Sequence, residues 1–336
     1  MKDRYRKQEL FIGKDGQAKV ENSRIVLIGM GALGSASAEM LVRAGIGELV
    51  LIDRDYVEYH NLQRQQLYTE QDAAAYLPKA SAAKERLQAI NHQVTLHTVI
   101  ENVDHHNIEH LIEDADVIVD ATDNFETRLI VNDAAVKHGI PYLYGACVGS
   151  YGINYPVLAN KAAPCLHCLL EQLPQQSETC DTAGIISPIV QWVAAMQVTE
   201  ALKIICGQEV KAELCAFDIW TGEHTRMDVK CLQNSDCPSC GTNAVLPFLN
   251  GFSRTRLDAL CGREAVHIRP AAKKSLELPA LAEEWASIVD EITANEFLLV
   301  FQYMGHRIVL FTDGRAIIHG VNDISRARTV YDSLVG

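Results

Sequence analysis

Apolar residues along this chain come in two rhythms. Short runs at 24–28, 49–52 and 117–120 are rich in β-branched residues and leucine and are bounded by glycine or charge, which predicts parallel strands buried on both faces. A further strand is expected at 95–100. Between the strands, stretches at 36–44, 79–90 and 124–138 read as helices, and another helical run covers 185–205. Strand and helix alternate, so the expected fold is α/β: a doubly wound, Rossmann-like, mainly parallel sheet. Composition changes near Cys240-Gly-Thr-Asn243, which divides the chain into a large domain, 1–241, and a small α+β domain, 242–336. Strands at 296–302, 307–311 and 316–319 are expected there, joined by Met304-Gly305 and Asp313-Gly314 turns.

The first predicted strand runs into Gly29-Met-Gly-Ala-Leu-Gly34, and a helix follows. Glycines in that context give the tight turn and the close backbone approach that a phosphate on a helix N-terminus needs. Gly29, Gly31 and Gly34 are the fingerprint glycines, and Ala32 stands among them. Asp53 ends the second strand, about 20 residues on, where a carboxylate accepts ribose hydroxyls. These pieces alone describe an NAD site. Asn61-Leu-Gln-Arg-Gln65 alters that picture, because Asn61, Gln63 and Arg64 put two amides and a guanidinium just beyond the ribose position. Arg64 can make a bidentate phosphate contact.

Charge and composition exclude several classes. A net charge of −13 argues against nucleic acid as the main partner, since phosphate contacts need a basic face. The amino terminus is charged from its second residue and carries no apolar leader, and no uninterrupted apolar stretch approaches the ~18 residues of a membrane span. A cytoplasmic protein is expected, whose ten cysteines are thiols or metal ligands rather than disulfides. Two pairs, Cys165-x-x-Cys168 and Cys237-x-x-Cys240, lie farther apart than the roughly 15–20 residues of a zinc ribbon. Meeting in space, they form a closed site of four thiolates for a structural zinc. A redox pair is the rival for either knuckle alone, and His167 inside the first is an alternative ligand. Cys180, in the polar stretch Glu178-Thr-Cys-Asp-Thr, is a candidate nucleophile once ionised. Cys206 and Cys215, amid apolar neighbours, read as packing, as does Cys261.

Taken together, the glycine loop, Asp53-Arg-Asp55, Asn61-Leu-Gln-Arg-Gln65, Pro78-Lys79, Asp120-Ala-Thr-Asp-Asn124 and the two knuckles resemble the ThiF/MoeB/HesA family, bacterial relatives of the ubiquitin-activating enzymes. The resemblance covers about residues 1 to 241. It implies adenylation of the C-terminal glycine carboxylate of a small ubiquitin-fold sulfur carrier, using ATP and Mg2+ and releasing pyrophosphate. A ThiS-like carrier of thiamine thiazole synthesis is the first expectation and a MoaD-like carrier of molybdopterin synthesis the second. A homodimer is implied, and pathway logic adds a cysteine desulfurase. An NAD-dependent oxidoreductase with a structural zinc, or a scaffold that binds nucleotide without turnover, would leave Asn61–Gln65 and Asp120–Asn124 with less to do.

Under this resemblance Arg64 and Lys79 are the cations at the triphosphate, and Asp123 is the magnesium ligand. Capping of the helix at 124 is the competing role for Asp123, and Asn124 belongs to the same site. Asn61 and Gln63 orient ribose or phosphate oxygens. Arg128 is a second phosphate or carrier contact, or an exposed helix arginine. Relatives carry Arg-Tyr-x-Arg-Gln at the amino terminus, whose last arginine reaches into the neighbouring subunit. Here Arg4-Tyr-Arg-Lys-Gln8 puts Lys7 at that place with Arg6 beside it, and lysine lacks the planar fork. In thiazole-pathway relatives the cysteine matching Cys180 bonds to the carrier. The tail, with its one cysteine early, does not fit the rhodanese domain that ends some relatives.

Overall fold

The computed structural model describes residues 4–158, 163–172, 183–250, 258–259, 265–268, 270, 275–321 and 323–335. Two compact units emerge, one of Met1–Ser177 and Gly184–Phe252, the other principally Ser253–Gly336.

In the first unit the elements are α1 (Arg6–Glu21), β1 (Arg24–Ile28), α2 (Ala32–Ala44), β2 (Glu48–Ile52), α3 (Glu70–Ala74), α4 (Lys79–Ile90), β3 (Thr95–Val99), α5 (Ile108–Leu111), β4 (Val117–Asp120), α6 (Phe125–His138), β5 (Tyr142–Val148), β6 (Tyr151–Val157), α7 (Leu166–Gln172), α8 (Ser187–Cys206), β7 (Glu213–Asp218) and β8 (Glu223–Asp228). They form one sheet in the order β3-β2-β1-β4-β5-β6-β7-β8. The pairings from β3 across to β5 are parallel, whereas β5 through β8 run antiparallel. Alternate side chains explain the unbroken apolar strands. Ile25, Leu27, Leu49 and Leu51 face a core with Leu41, Leu87 and Val198, while Val26, Ile28, Val50 and Ile118 face another with Ile108, Ile130 and Val131. Both faces are covered, as a doubly wound sheet requires.

Two features depart from the sequence reading. The charged amino terminus is a helix, α1, broken at Gly13, whose φ is 78°. Beyond β5 the parallel pattern stops, because short hairpin connections such as Gly149-Ser150 can join only antiparallel neighbours. The expected helix at 185–205 is α8, with Pro188 in its first turn. By length and composition α8 could cross a membrane, but Ile189, Val190, Val193, Ala194, Val198 and Ala201 are buried among core residues, the setting of a core helix.

The second unit is an antiparallel sheet with two helices. Its elements are β9 (Asp258–Ala259), β10 (Ala265–Ile268), α9 (Leu278–Trp285), β11 (Asp290–Ala294), β12 (Leu298–Tyr303), β13 (His306–Phe311), β14 (Ala316–His319) and α10 (Ile324–Val335), with sheet order β11-β12-β13-β14-β10-β9. Met304 and Gly305, at φ 52° and 79°, make the two-residue turn between β12 and β13. Leu278, Trp285, Ala327, Val330 and Tyr331 bring the helices onto Leu299, Phe301, Ile308 and Leu310.

Candidate active site and metal centre

Carboxyl ends of β1, β2 and β4 converge, and the glycine loop forms where β1 meets α2. Gly29 has φ 93°, and a side chain there would come within 2.5 Å of the Ala121 carbonyl. A methyl on Gly34 would collide with the Gly29 carbonyl. Those two glycines let the turn close and let it touch the loop after β4. Gly31 differs: among the described residues a methyl there meets only Gln65 Nε2, at 3.9 Å. It leaves open space at the start of α2, where no side chain caps the helix and the first turn is free of acidic residues. Unpaired N–H groups and the helix dipole there suit an anion.

The turn is fastened from both sides of one residue. Met30 N–H donates to Asp53 Oδ2 at 2.6 Å, and Tyr68 O–H donates to the Met30 carbonyl at 2.6 Å. Asp53, expected at the ribose, thus also braces the loop, and its Oδ1 accepts from Asp55 N–H at 2.7 Å. Burial pushes the Asp53 carboxyl above its ordinary value, against the pull of Lys79, with Asp55 adding to the rise. Lys79 opens α4 with its side chain almost buried, its Nζ 3.7 Å from Asp55 Oδ2. Pro78 precedes it as the cap residue.

Residues of Asn61–Gln65 separate. Asn61 is fully buried: its Oδ1 accepts from Glu58 N–H, while its Nδ2 has no hydrogen-bond partner among the described residues. Gln63 is exposed and Arg64 half-buried, its Nη1 donating to the His60 carbonyl at 2.9 Å. Gln65, which the sequence reading did not single out, is buried with Oε1 likewise unpartnered. An alternating exposure along the turn is what assigns the inward amide, and sequence spacing alone does not carry it.

Around the β4 loop a buried network appears that sequence reasoning also missed. Asp120 is 1 % exposed. Its Oδ1 accepts from Thr122 N–H and O–H at 2.8 and 2.7 Å, and its Oδ2 accepts from Tyr142 O–H at 2.7 Å. Arg128 Nε lies 3.3 Å from Oδ2. The guanidinium also donates to the carbonyls of Thr122 and Gly145 and lies over the rings of Phe125 and Tyr144. Arg128 is therefore a buried rather than an exposed helix arginine, and it pins the loop from inside. Gln197 Nε2 ties the Asp120 and Leu143 carbonyls together at 2.6 and 2.8 Å.

The cap of α6 is Asn124, whose Oδ1 accepts from Thr127 N–H at 3.0 Å. Asp123 is exposed, and its carboxylate accepts no hydrogen bond among the described residues. Capping thus falls to Asn124, and the Asp123 carboxylate takes no part in it. At the amino terminus Arg6 and Lys7 are both exposed at the start of α1. Cys180 lies outside the described residues, as does Cys261.

Four cysteines form a cluster that could hold a metal ion. The Sγ atoms of Cys165, Cys168, Cys237 and Cys240 all lie within 4.8 Å of one another. Neighbouring sulfurs are 3.5, 3.7 and 4.0 Å apart, and a tetrahedral ion with bonds of about 2.3 Å sets such edges near ~3.8 Å. The donor set fits. His167 turns away, its Nδ1 2.8 Å from Ser239 Oγ and its ring edge-on to Phe248. Two side chains of α6 hold the knuckles: Asn132 Oδ1 accepts from Leu166 N–H at 2.8 Å, and Asp133 Oδ2 accepts from Phe248 N–H at 2.9 Å. Cys215 is buried and Cys206 half-buried against the Gly16 carbonyl.

Comparisons with known proteins agree with this layout. The sulfur carrier protein ThiS adenylyltransferase of Bacillus subtilis is 52% identical over 338 residues, covering 100% of both chains. The Escherichia coli protein of the same description is 34% identical over 73% of this chain and 97% of its own. Among solved structures, Escherichia coli MccB with ATP superposes with a TM-score of 0.61 at 21% identity, covering 71% of this chain and 74% of that one, which speaks for the fold. A model of the ThiF family matches residues 5–239, and with the glycine loop, the Asp120–Asn124 loop and the four-cysteine centre all in place, the chain belongs to the ThiF family.

Proposed function

We propose that the protein adenylates the C-terminal glycine carboxylate of a ThiS-like sulfur carrier: the carboxylate attacks the α-phosphate of ATP and pyrophosphate leaves. The observation that carries this reading is the pairing of an open, uncapped α2 terminus at Gly31 with an Asp123 carboxylate spared from capping on the adjoining loop. Two anions must approach while a more highly charged one departs, so positive charge has to surround the triphosphate. Amides of α2 with Arg64 and Lys79 supply it, Asp53 takes the ribose, and Asn61 Nδ2, buried without a partner among the described residues, is a spare donor. Mg2+ at Asp123 would add charge neutralisation at the phosphates.

Identity with the Bacillus protein runs through residues 242–336 as well, which favours the thiamine-type carrier over the molybdopterin type. Zinc in the four-cysteine centre closes the knuckles onto α6, with no open position for chemistry. The protein acts as a cytoplasmic homodimer, with α1 at the interface, a reading supported by Leu10 and Phe11, which are 76% and 90% exposed; the exposed Arg6 and Lys7 beside them reach the second subunit. Cys180 receives the activated carrier, and a cysteine desulfurase supplies sulfur.

The test is carrier-dependent exchange of labelled pyrophosphate into ATP, with thiamine-type and molybdopterin-type carriers, each intact and lacking its terminal glycine. Exchange with the intact thiamine-type carrier alone is expected, and Asp123→Asn should abolish it while ATP still binds. Exchange with neither carrier would overturn the assignment. Unchanged exchange in Asp123→Asn would remove that residue from the mechanism.

A further inference from the structure

We infer that Gln65, and not Gln63, is the side-chain amide that touches the phosphates of the nucleotide, an inference that rests on the glycine loop being an ATP site. Both residues stand in the same motif, and sequence spacing does not choose between them. Gln63 points to solvent, while Gln65 is 4% exposed. The turn that carries it is rigid: Gln65 N–H donates to the Asn61 carbonyl at 3.0 Å, the Gln65 carbonyl accepts from Tyr68 N–H at 3.2 Å, and Tyr68 O–H is bonded to the Met30 carbonyl.

That chain of contacts fixes the amide against the glycine loop. Among the described residues, Gln65 Nε2 is the one atom within 4 Å of a methyl built on Gly31, so the open side of Gly31 is the side the amide faces. A phosphate resting on the α2 amides at Gly31 lies within reach of the Nε2 hydrogens. One turn earlier, Asn61 Nδ2 is a buried donor without a hydrogen-bond partner among the described residues. Buried amides are ordinarily satisfied, and an unmatched donor on the turn beside an open phosphate cradle marks a site that an anionic ligand completes. Gln65 donates to a phosphate oxygen over Gly31, and the donor is charge-assisted because the acceptor is anionic. Gln63, pointing outward, takes no part.

Titration of ATP and of adenosine against the full-length protein tests this. Gln65→Met keeps the volume and removes the donor, and should weaken ATP binding about tenfold, the effect of one charge-assisted hydrogen bond. Gln65→Glu keeps the shape, sets an anion against the phosphates and should weaken it further; it carries the test if the Met variant fails to fold. Adenosine affinity in both should stay within about twofold, as should ATP affinity in Gln63→Ala. Equal loss of ATP and adenosine, ATP binding within twofold of the unaltered protein in Gln65→Glu, or a loss confined to Gln63→Ala would each overturn the inference. If the unaltered protein binds no ATP, the ATP-site reading itself fails, and that result is distinct from any difference among variants.

Discussion

Two loops meet at the carboxyl ends of the strands, and they are fixed by opposite means. The glycine loop after β1 is set by the lack of side chains: Gly29 and Gly34 pack against carbonyls that no Cβ could approach. The loop after β4 is set by a buried charge, Asp120, gripped by Thr122, Tyr142 and Arg128. Steric fixation leaves the N–H groups at the start of α2 without a side-chain cap, while the Gly29 and Met30 N–H groups are held by the Ile52 carbonyl and Asp53. Electrostatic fixation turns Asp120 and Arg128 inward, and with Asn124 as the cap Asp123 stays exposed at the surface. Under the proposed function, one loop takes phosphate and the other a cation.

The comparison breaks most severely at Arg128. Arg128→Met leaves Asp120 as a buried carboxylate without its cation, and removing one partner of such a pair costs about 3–5 kcal/mol. Denaturant unfolding should show that loss, and Asp120→Asn combined with Arg128→Met should recover part of it, because the unpaired charge is gone. A cost of Arg128→Met below about 1 kcal/mol would mean that the carboxylate does not depend on Arg128, and the electrostatic half of the contrast would fall.

The steric half is tested by a pair of smaller changes in one loop. Gly34→Ala drives a methyl onto the Gly29 carbonyl and should cost about 1–3 kcal/mol, as overpacking does. Gly31→Ala meets open space in the protein alone, so its stability should stay within about 0.5 kcal/mol. Its methyl nevertheless stands where a phosphate would approach, so ATP affinity should fall. Thermal melts with ATP titrations on both variants check this, and equal melting points would show that the two glycines are not distinct in role.

How far the sequence reached follows the same division. Strands at 117–120 and 316–319 and the helix at 79–90 were legible to the residue, because apolar period and flanking breakers are local properties. The glycine loop and the two cysteine knuckles were legible because their chemistry imposes spacing. Asp123 was half legible: the candidate was visible, but only backbone geometry shows that Asn124 takes the cap. Arg128 and the Gln63/Gln65 choice were not legible, since inward or outward orientation on an irregular turn depends on tertiary packing. The helix at α1 went unread because its charged, glycine-broken sequence has little apolar period of its own, and the antiparallel half because hairpin strands there follow no change in composition.

The smallest expected effect concerns Asp53, the carboxylate that braces the glycine loop, and it sharpens the contrast with Asp120. Burial raises the Asp53 carboxyl above its ordinary value, with Lys79 opposing. A carboxyl whose folded value is raised binds its proton more tightly when folded than when unfolded. Its contribution to stability is therefore fully present below the ordinary carboxylate value and is lost as pH rises through the folded one. Asp53→Asn removes that titration, so the stability of the variant relative to the unaltered protein should shift in the variant's favour as pH climbs through this window. Urea midpoints measured on both proteins at intervals from mildly acidic to neutral pH would show it. A shift in the opposite direction would mean that Lys79 and the two N–H donors outweigh burial, and the glycine loop would then also rest on a stabilised charge, as the loop after β4 does.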